Sequence, residues 1–265
     1  AYQQLRVDLE SAAAVQFALL PSPTRIGGVR FQGRLRPSNF ISGDTYDVLR
    51  QPNGTVHFFV IDVAGHGAAA ALVSVASHYT LTQAILRRQA GESLAETVAG
   101  LNSNWPDHLP YFTMILGELR PETGEGILVQ SGHPPPLLLR RAGGVEPIGA
   151  GGLPIGVIPG ASFDEVRFRF TPGDRLLIYS DGLTEAEDGA GQPFTEERLL
   201  ELVRSQGQAR SEALLDGITE TLQQWRASDT LDDDMTLLIL EATDDEDDRG
   251  TAQRRAHPAL RGVAT

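Results

Sequence analysis

The chain has 265 residues, of which 41% are hydrophobic, and its 35 acidic and 22 basic residues give a formal net charge of −13. Cysteine is absent and every basic residue is arginine, which excludes disulfides, cysteine-ligated zinc, a thiol nucleophile and a lysine Schiff base. The acidic balance, without a basic run, argues against a nucleic-acid partner. No long uncharged apolar run predicts a membrane span and no secretory leader is visible, so a cytoplasmic protein is expected.

Taken in chain order, the first half predicts alternating helices and strands. Residues 3–19 are expected to form a helix, because apolar residues recur every four positions: Leu5, Leu9, Ala13 and Phe17. "LPSPT" ends this helix, and "GVRFQGRLRP" and "VHFFVIDV" follow as strands. The next segment, "AAAALVSVASHYTLTQAILRR", is apolar nearly all round and therefore predicts a buried helix. Another helix is expected over residues 93–104.

The second half is richer in strands. "YFTMILGELR" and "GILVQSG", joined by "PETGE", predict a hairpin, and "PLLLRR" with "VEPIG" predicts another strand pair. "FDEVRFRF" alternates apolar and basic residues, which is typical of an antiparallel strand buried on one face. "DRLLIYSDG" and "MTLLILEA" are further strands, with helices expected between them over residues 195–206 and 211–225. The pattern predicts an α+β fold with two antiparallel sheets and helices outside.

Carboxylates gather where these strands begin or end. Asp62 closes "HFFVID", Asp181 closes "LLIYSD", and Asp232, Asp233 and Asp234 precede "MTLLIL". A further acid, Asp44, lies in "SGDTYD" before another extended stretch. An isolated aspartate at a strand end is usually a turn former or helix cap. Several such acids on one edge of a sandwich would repel each other unless a cation lies among them.

The ligand set indicates which cation this would be. Oxygen ligands without cysteine favour a hard ion, Mg²⁺ or Mn²⁺, and the backbone carbonyl of Val63 could add a ligand. Such ions lower the pKa of bound water and neutralise phosphoryl oxygens, so phosphoester hydrolysis is the leading hypothesis. His66 has two interpretations: a general acid to the leaving oxygen, or a residue that stabilises the tight Gly-His-Gly turn.

Six motifs, in this order, resemble the SpoIIE/RsbU branch of the PPM (PP2C-like) serine/threonine phosphatases. They are "SGDTYDV", "IDVAGHGAAAALVS", "SGHPPPLLL", "GLPIGV", "PGDRLLIYSDGLTEAED" and "DDMTLLIL". The resemblance covers about residues 10–242. It implies a two-sheet antiparallel sandwich flanked by helices on both sides, and metal-dependent removal of phosphate from phosphoserine or phosphothreonine by a metal-activated water.

The resemblance also implies roles for individual residues. Asp62 would bridge two Mn²⁺ or Mg²⁺ ions and Val63 would contribute its carbonyl. Asp181 and Asp233 would complete one metal site and Asp44 would support the second. Asp233 is two places before the methionine, as in the family pattern, and Asp234 is the alternative. The arginine that grips phosphate in eukaryotic relatives has no clear counterpart here.

The same resemblance predicts the domain organisation and partners. Residues 1–20 would be a connector helix and residues 21–242 the phosphatase domain, while the acid block and polar composition of residues 243–265 predict a disordered tail. Relatives often act on phosphorylated anti-anti-sigma factors, small STAS-domain proteins, and commonly follow a sensory or receiver domain. The chain would then be the output domain of a longer signalling protein, with a possible homodimer through the N-terminal helix. The rival hypothesis is a catalytically inactive pseudophosphatase that serves as a binding scaffold for a sigma-factor regulator.

Overall fold

The structure is a computed structural model that describes residues 2–89, 91–149, 151–226 and 230–244. Its helices are α1 (Tyr2–Phe17), α2 (Ala68–Arg87), α3 (Leu94–Ser103), α4 (Asp181–Thr184), α5 (Glu196–Gln206) and α6 (Ser211–Arg226). The strands are β1 (Thr24–Ile26), β2 (Val29–Arg36), β3 (Asp44–Arg50), β4 (Val56–Val63), β5 (Phe112–Arg120), β6 (Glu125–Ser131), β7 (Leu137–Leu139), β8 (Val145–Pro147), β9 (Glu165–Arg169), β10 (Arg175–Tyr179) and β11 (Met235–Ala242).

Two antiparallel sheets form the centre of the fold. Sheet A has the strand order β1-β2-β11-β10-β7-β8, and sheet B has the order β3-β4-β5-β6-β9. Their facing sides share one apolar core, in which Phe58 and Val60 of sheet B pack with Ile178 and Leu238 of sheet A. This arrangement confirms the predicted two-sheet α+β sandwich.

Helices cover both outer faces of the sandwich. On sheet B, α2 and α3 bury residues such as Leu81 and Val98 against Phe59 and Leu116. On sheet A, α5 and α6 pack residues such as Leu199 and Ile218 against the other side of β10 and β11. Because residues along each strand alternate between the two faces of a sheet, the strands contribute to three apolar layers: one between the sheets and one under the helices on each outer face.

Helix α2 differs from its sequence-based expectation, because it is not buried all round. One face lies in the core, but Leu72, Tyr79 and Leu86 are 72%, 60% and 52% exposed. Alone among the described helices, α2 has the length and apolar composition of a membrane span, but half of that window is buried in the domain. A helix that is apolar on every side can thus leave one stripe at the surface when only one sheet covers it.

The N-terminal helix docks on the domain through its last turns. Leu9, Ala13 and Phe17 of α1 are partly buried, and Gln16 is buried, whereas Val15 is 69% exposed. The side chain of Leu5, the first residue of the predicted stripe, lies outside the description. The connector role and the dimer contact remain predictions. Most of the predicted tail, residues 245–265, also lies outside the described residues.

Candidate metal centre

Sheet B supplies the first two carboxylates by its register. Asp44 begins β3 and pairs directly with Asp62, the penultimate residue of β4. Asp44 is buried, and its Oδ2 accepts a hydrogen bond of 2.6 Å from Thr236 Oγ1 of sheet A. The two aspartates therefore lie side by side at one end of the sandwich, and Thr236 connects this pair to the other sheet.

Sheet A brings the remaining predicted ligands to the same end. β10 stops at Tyr179 and Asp181 opens the short helix α4, while Asp233 and Asp234 precede the antiparallel partner strand β11. Gly182 makes this approach possible, because a Cβ built on it would lie 2.1 Å from the backbone oxygen of Asp234. Any other residue at position 182 would push the two strand ends apart.

The pKa values show that these carboxylates oppose one another. Burial, followed by repulsion from Asp234 and Asp233 among other influences, raises the pKa of Asp44 well above its ordinary value. Burial and the charges of Asp44 and Asp181 likewise raise the pKa of Asp62, whose carboxyl lies close to that of Asp181. Partial burial, with the charges of Asp181 and Asp234, raises the pKa of Asp233 as well, although this residue is more exposed than Asp44 or Asp62. The cluster thus carries more negative charge than its surroundings stabilise.

This chemistry fits a divalent cation, although the side chains do not form a finished cage. Among the described residues, no three Asp, Glu or His side chains converge in a ready-made metal site. However, the carboxyl of Asp62 lies among the charges of Asp44, Asp181 and Asp233, which raise its pKa, and a cation would offset this mutual repulsion. The donor set of carboxylate oxygens is the one preferred by Mg²⁺ or Mn²⁺.

Asp234 differs from the other acids because its carboxylate already has protein partners. Ser38 donates both its backbone N–H and its hydroxyl to Oδ1, at 2.7 and 3.0 Å. Ser42 Oγ and the Gly43 N–H donate to Oδ2, at 2.8 and 2.6 Å. Four donors leave little capacity for a metal ion. The geometry favours a structural role for Asp234, which fixes the loop before β3, and favours Asp233, which is exposed, as the ligand.

The remaining predicted site residues lie in the turn after β4. The Val63 carbonyl faces the loop before β3, at 3.2 Å from where a Cβ on Gly43 would lie. His66 is exposed between Gly65 and Gly67, which both adopt positive φ. The His66 side chain is close enough to Asp233 to lower the pKa of that carboxyl, against the dominant effect of burial. This places an imidazole beside the carboxylates, as a general acid would require.

Sequence reasoning missed several residues of this site. Glu185 follows Asp181 by one helical turn, and burial together with the charges of Asp181 and Asp233 raises its pKa. The i, i+4 spacing in "DGLTE" was the available signal. Thr236, which holds Asp44, and Ser42, which holds Asp234, had no such signal, because their contacts join segments about 190 residues apart.

Two residues behind the site form buried polar contacts. Asp47 is buried, and its carboxylate lies 3.4 Å from His78 Nε2 of α2. Asp47 points into the layer between sheet B and α2, a position that residue type alone did not indicate. His133 is buried, and its Nδ1 forms a hydrogen bond of 2.8 Å with Oγ1 of Thr113, the residue opposite Asp62 on β5.

The family model for Stage II sporulation protein E (SpoIIE) matches residues 52–243. The chain belongs to the SpoIIE family. That match includes Asp62, Asp181 and Asp233 but begins after Asp44, so the family extends over most of the sandwich.

Curated relatives support the same placement. The chain is 24% identical over 238 residues to the phosphoserine phosphatase RsbP of Bacillus subtilis, covering 88% of this chain and 57% of RsbP. It is 22% identical over 268 residues to the protein IcfG of Synechocystis, covering 89% of this chain and 41% of IcfG. The chain thus spans about half the length of these relatives.

Solved structures confirm a PP2C-like fold. The SiaA-PP2C domain of Pseudomonas aeruginosa superposes with a TM-score of 0.77 at 18% identity, covering 91% of this chain and 98% of that domain. RsbX in complex with magnesium superposes with a TM-score of 0.62 at 15% identity, covering 84% of this chain and 99% of RsbX. At these identities the likeness shows the fold alone.

Proposed function

We propose that this domain is a metal-dependent protein phosphatase that hydrolyses phosphoserine or phosphothreonine on a regulatory protein of bacterial signalling. The observation that carries the proposal is the cluster of Asp44, Asp62, Asp181 and Asp233, in which burial and neighbouring acids raise the pKa of three of the four carboxyls. The family match, a relative named as a phosphoserine phosphatase and a fold neighbour that binds magnesium support it.

The residues divide the work according to their positions. Two Mn²⁺ or Mg²⁺ ions, when bound, would supply a nucleophilic water at neutral pH and neutralise the phosphoryl oxygens. Asp62 would hold both ions, Asp181 and Asp233 would complete one site, and Asp44 with the Val63 carbonyl would support the other. Thr236 keeps Asp44 oriented through its 2.6 Å hydrogen bond.

His66 is the residue that would donate a proton to the leaving serine or threonine oxygen. It is exposed and lies in a glycine-flanked turn at the edge of the carboxylate cluster. The substrate would therefore approach from solvent, as a phosphorylated segment of another protein must. We propose a STAS-domain anti-anti-sigma factor as that protein, in the cytoplasm, with an upstream receiver or sensor domain controlling the activity.

The direct test is phosphate release from p-nitrophenyl phosphate and from a phosphorylated STAS-domain protein. We expect activity with Mn²⁺ or Mg²⁺, none in EDTA, and recovery when the ion is added back. Asp62→Ala should abolish turnover, and His66→Ala should reduce it about 10²-fold. Metal-independent turnover, or an Asp62→Ala variant as active as the wild type, would contradict the mechanism.

The same assay separates the enzyme from the scaffold hypothesis. A pseudophosphatase has no need of four carboxylates that repel one another, so their retention favours the enzyme. If the chain binds Mn²⁺ and the phosphorylated STAS-domain protein yet releases no phosphate from either substrate, the scaffold is the correct interpretation.

A further inference from the structure

A second concave site lies at the far end of β10 and β11, away from Asp181 and Asp233. It is a cleft of about 500 Å³ between the outer side of sheet A and the turn that joins α5 to α6. Its lining includes two glutamates, Glu212 and Glu241, and five arginines: Arg30, Arg140, Arg141, Arg175 and Arg210. This arginine cleft is thus net positive in a chain whose formal charge is −13.

Arg175 forms the floor of the arginine cleft. Its side chain is buried, and its guanidinium donates to the backbone carbonyls of Ala209, at 2.7 Å, and Gly207. Burial lowers the pKa of Arg175, and Glu241 opposes that shift. The hydrogen-bond partners of the Arg175 guanidinium are neutral carbonyls, so nearby carboxylates offset the positive charge of Arg175 only in part.

The arginines on the rim of the cleft differ in how far protein carboxylates already occupy their guanidinium groups. Arg140 is engaged by Glu146 and Asp174, at 2.9 and 3.3 Å. Arg30 reaches Glu241 only at 3.8 Å. The guanidinium groups of Arg141 and Arg210, both exposed, form no ion pair or hydrogen bond with any residue in the described ranges.

The turn beside these arginines adds a weaker attraction for anions. α6 begins at Ser211, so its first backbone N–H groups and the positive end of its dipole lie at the cleft wall. Ser211 Oγ donates to Glu241 at 2.9 Å, which keeps that carboxylate on the wall. The backbone N–H groups of this turn favour an anion, whereas Glu212 in the same turn and Glu241 on the wall oppose it, so the guanidinium groups supply most of the attraction.

We propose that the arginine cleft is a second binding site, separate from the carboxylate cluster, for a small polyanion bearing phosphoryl or carboxylate groups. The volume suits a small molecule, and the planar guanidinium forks match both kinds of anion. The cleft is lined by polar residues, glycines and one alanine, with no aromatic or large apolar side chain. A nucleobase would therefore gain little here, and charge would supply most of the affinity.

The test is isothermal titration of the metal-stripped chain at 0.1 M salt with pyrophosphate and, separately, with citrate. We expect saturable binding of one anion per chain. The double variant Arg141→Glu/Arg210→Glu should weaken it at least 10-fold. The matched control is Arg87→Glu/Arg167→Glu, which makes the same change in net charge at exposed arginines elsewhere on the surface.

The two probes distinguish the chemistry of the ligand. Binding of pyrophosphate alone identifies phosphoryl groups, binding of citrate alone identifies carboxylates, and binding of both identifies charge as the feature recognised. If neither pyrophosphate nor citrate binds saturably, the proposal is overturned. An equal loss in both double variants would also overturn it, because the attraction would then come from overall charge. Thermal unfolding of each variant confirms that the comparison is made between folded chains.

Discussion

Buried carboxylates at the two ends of the sandwich are in opposite electrostatic states. At the metal end, burial and neighbouring acids raise the pKa of Asp44 and Asp62. At the far end, burial also opposes ionisation, yet the pKa of Glu118 is lowered by Arg88, Arg120 and His57, and that of Asp174 by backbone N–H donors, Thr171 and Arg140. The chain itself thus compensates the charges of these two far-end carboxylates, whereas the carboxylates of the metal end require a cation from outside.

The largest effect expected from this comparison is a loss of turnover at the metal end, where the adjacent acids Asp233 and Asp234 should respond differently to substitution. Asp233→Asn should reduce turnover about 10²-fold or more, because it removes a charge that faces the reaction, while stability in EDTA is retained or improved. Asp234→Asn should instead lower stability by about 2 kcal/mol, because the amide cannot accept from all four donors. Metal-dependent turnover and chemical unfolding in EDTA, measured on both variants, check this. If Asp234→Asn impairs metal binding more than Asp233→Asn does, the assignment is wrong.

At the far end, replacing a buried carboxylate should reduce stability and leave turnover unchanged. Glu118→Gln leaves Arg88 and Arg120, at 2.7 and 2.6 Å from its carboxylate, without their counter-charge. We expect a loss of about 2–3 kcal/mol in the free energy of unfolding and unchanged turnover per folded molecule.

The control for this variant is Glu146→Gln, which removes a partly exposed pair with Arg140 and should cost less than about 1 kcal/mol. Denaturant unfolding of both variants gives the comparison. Equal losses in the two would show that Glu118 is no more than a surface partner.

A smaller effect is expected where the N-terminal helix meets the metal end. Gln16 is buried and binds the backbone of Ser42 on both sides: its Oε1 accepts from the N–H at 2.9 Å, and its Nε2 donates to the carbonyl at 2.5 Å. Ser42 Oγ in turn accepts from the Asp44 N–H at 3.0 Å. Gln16→Ala should cost about 1–2 kcal/mol of stability and raise the Mn²⁺ concentration needed for half activity.

The matched control is Val15→Ala, the exposed neighbour of Gln16 on the same helix, which should leave both quantities unchanged. A Gln16→Ala variant with the wild-type Mn²⁺ requirement would show that the helix is attached to the domain without influence on the metal end.

The sequence predicted the metal end better than the far end for a physical reason. Asp62 and Asp181 were recognisable from local pattern, because aspartates recur at the ends of several apolar strands and their mutual repulsion there calls for a cation. The network around Glu118 was not predictable, because its partners come from the residue that follows α2, from β4 and from the end of β5. The exposed stripe on α2 was missed because composition does not say how many faces a sheet will cover.

The smallest expected effect is a pH dependence that originates at the far end. Burial, reinforced by Arg88 and opposed by Glu118, lowers the pKa of His57 to about 4, and the unfolded value is about 6.5. Between these values the unfolded chain binds a proton that the folded chain does not, so stability falls as pH falls. The His57 contribution should be about 1 kcal/mol between pH 7.5 and 5.5. His57→Gln should remove it, leaving the similar contribution of buried His133, whose pKa burial lowers to about 3.

Urea unfolding in EDTA at pH 7.5, 6.5 and 5.5 measures this slope, and EDTA keeps the metal equilibrium out of the comparison. His108→Gln is the matched control, because His108 is exposed in the loop before β5 and should leave the slope as in the wild type. Only a slope that flattens in His57→Gln and not in His108→Gln assigns the proton to the far end. Equal slopes in all three proteins would mean that His57 binds its proton at the same pH in the folded and unfolded chains, which would contradict the lowered pKa.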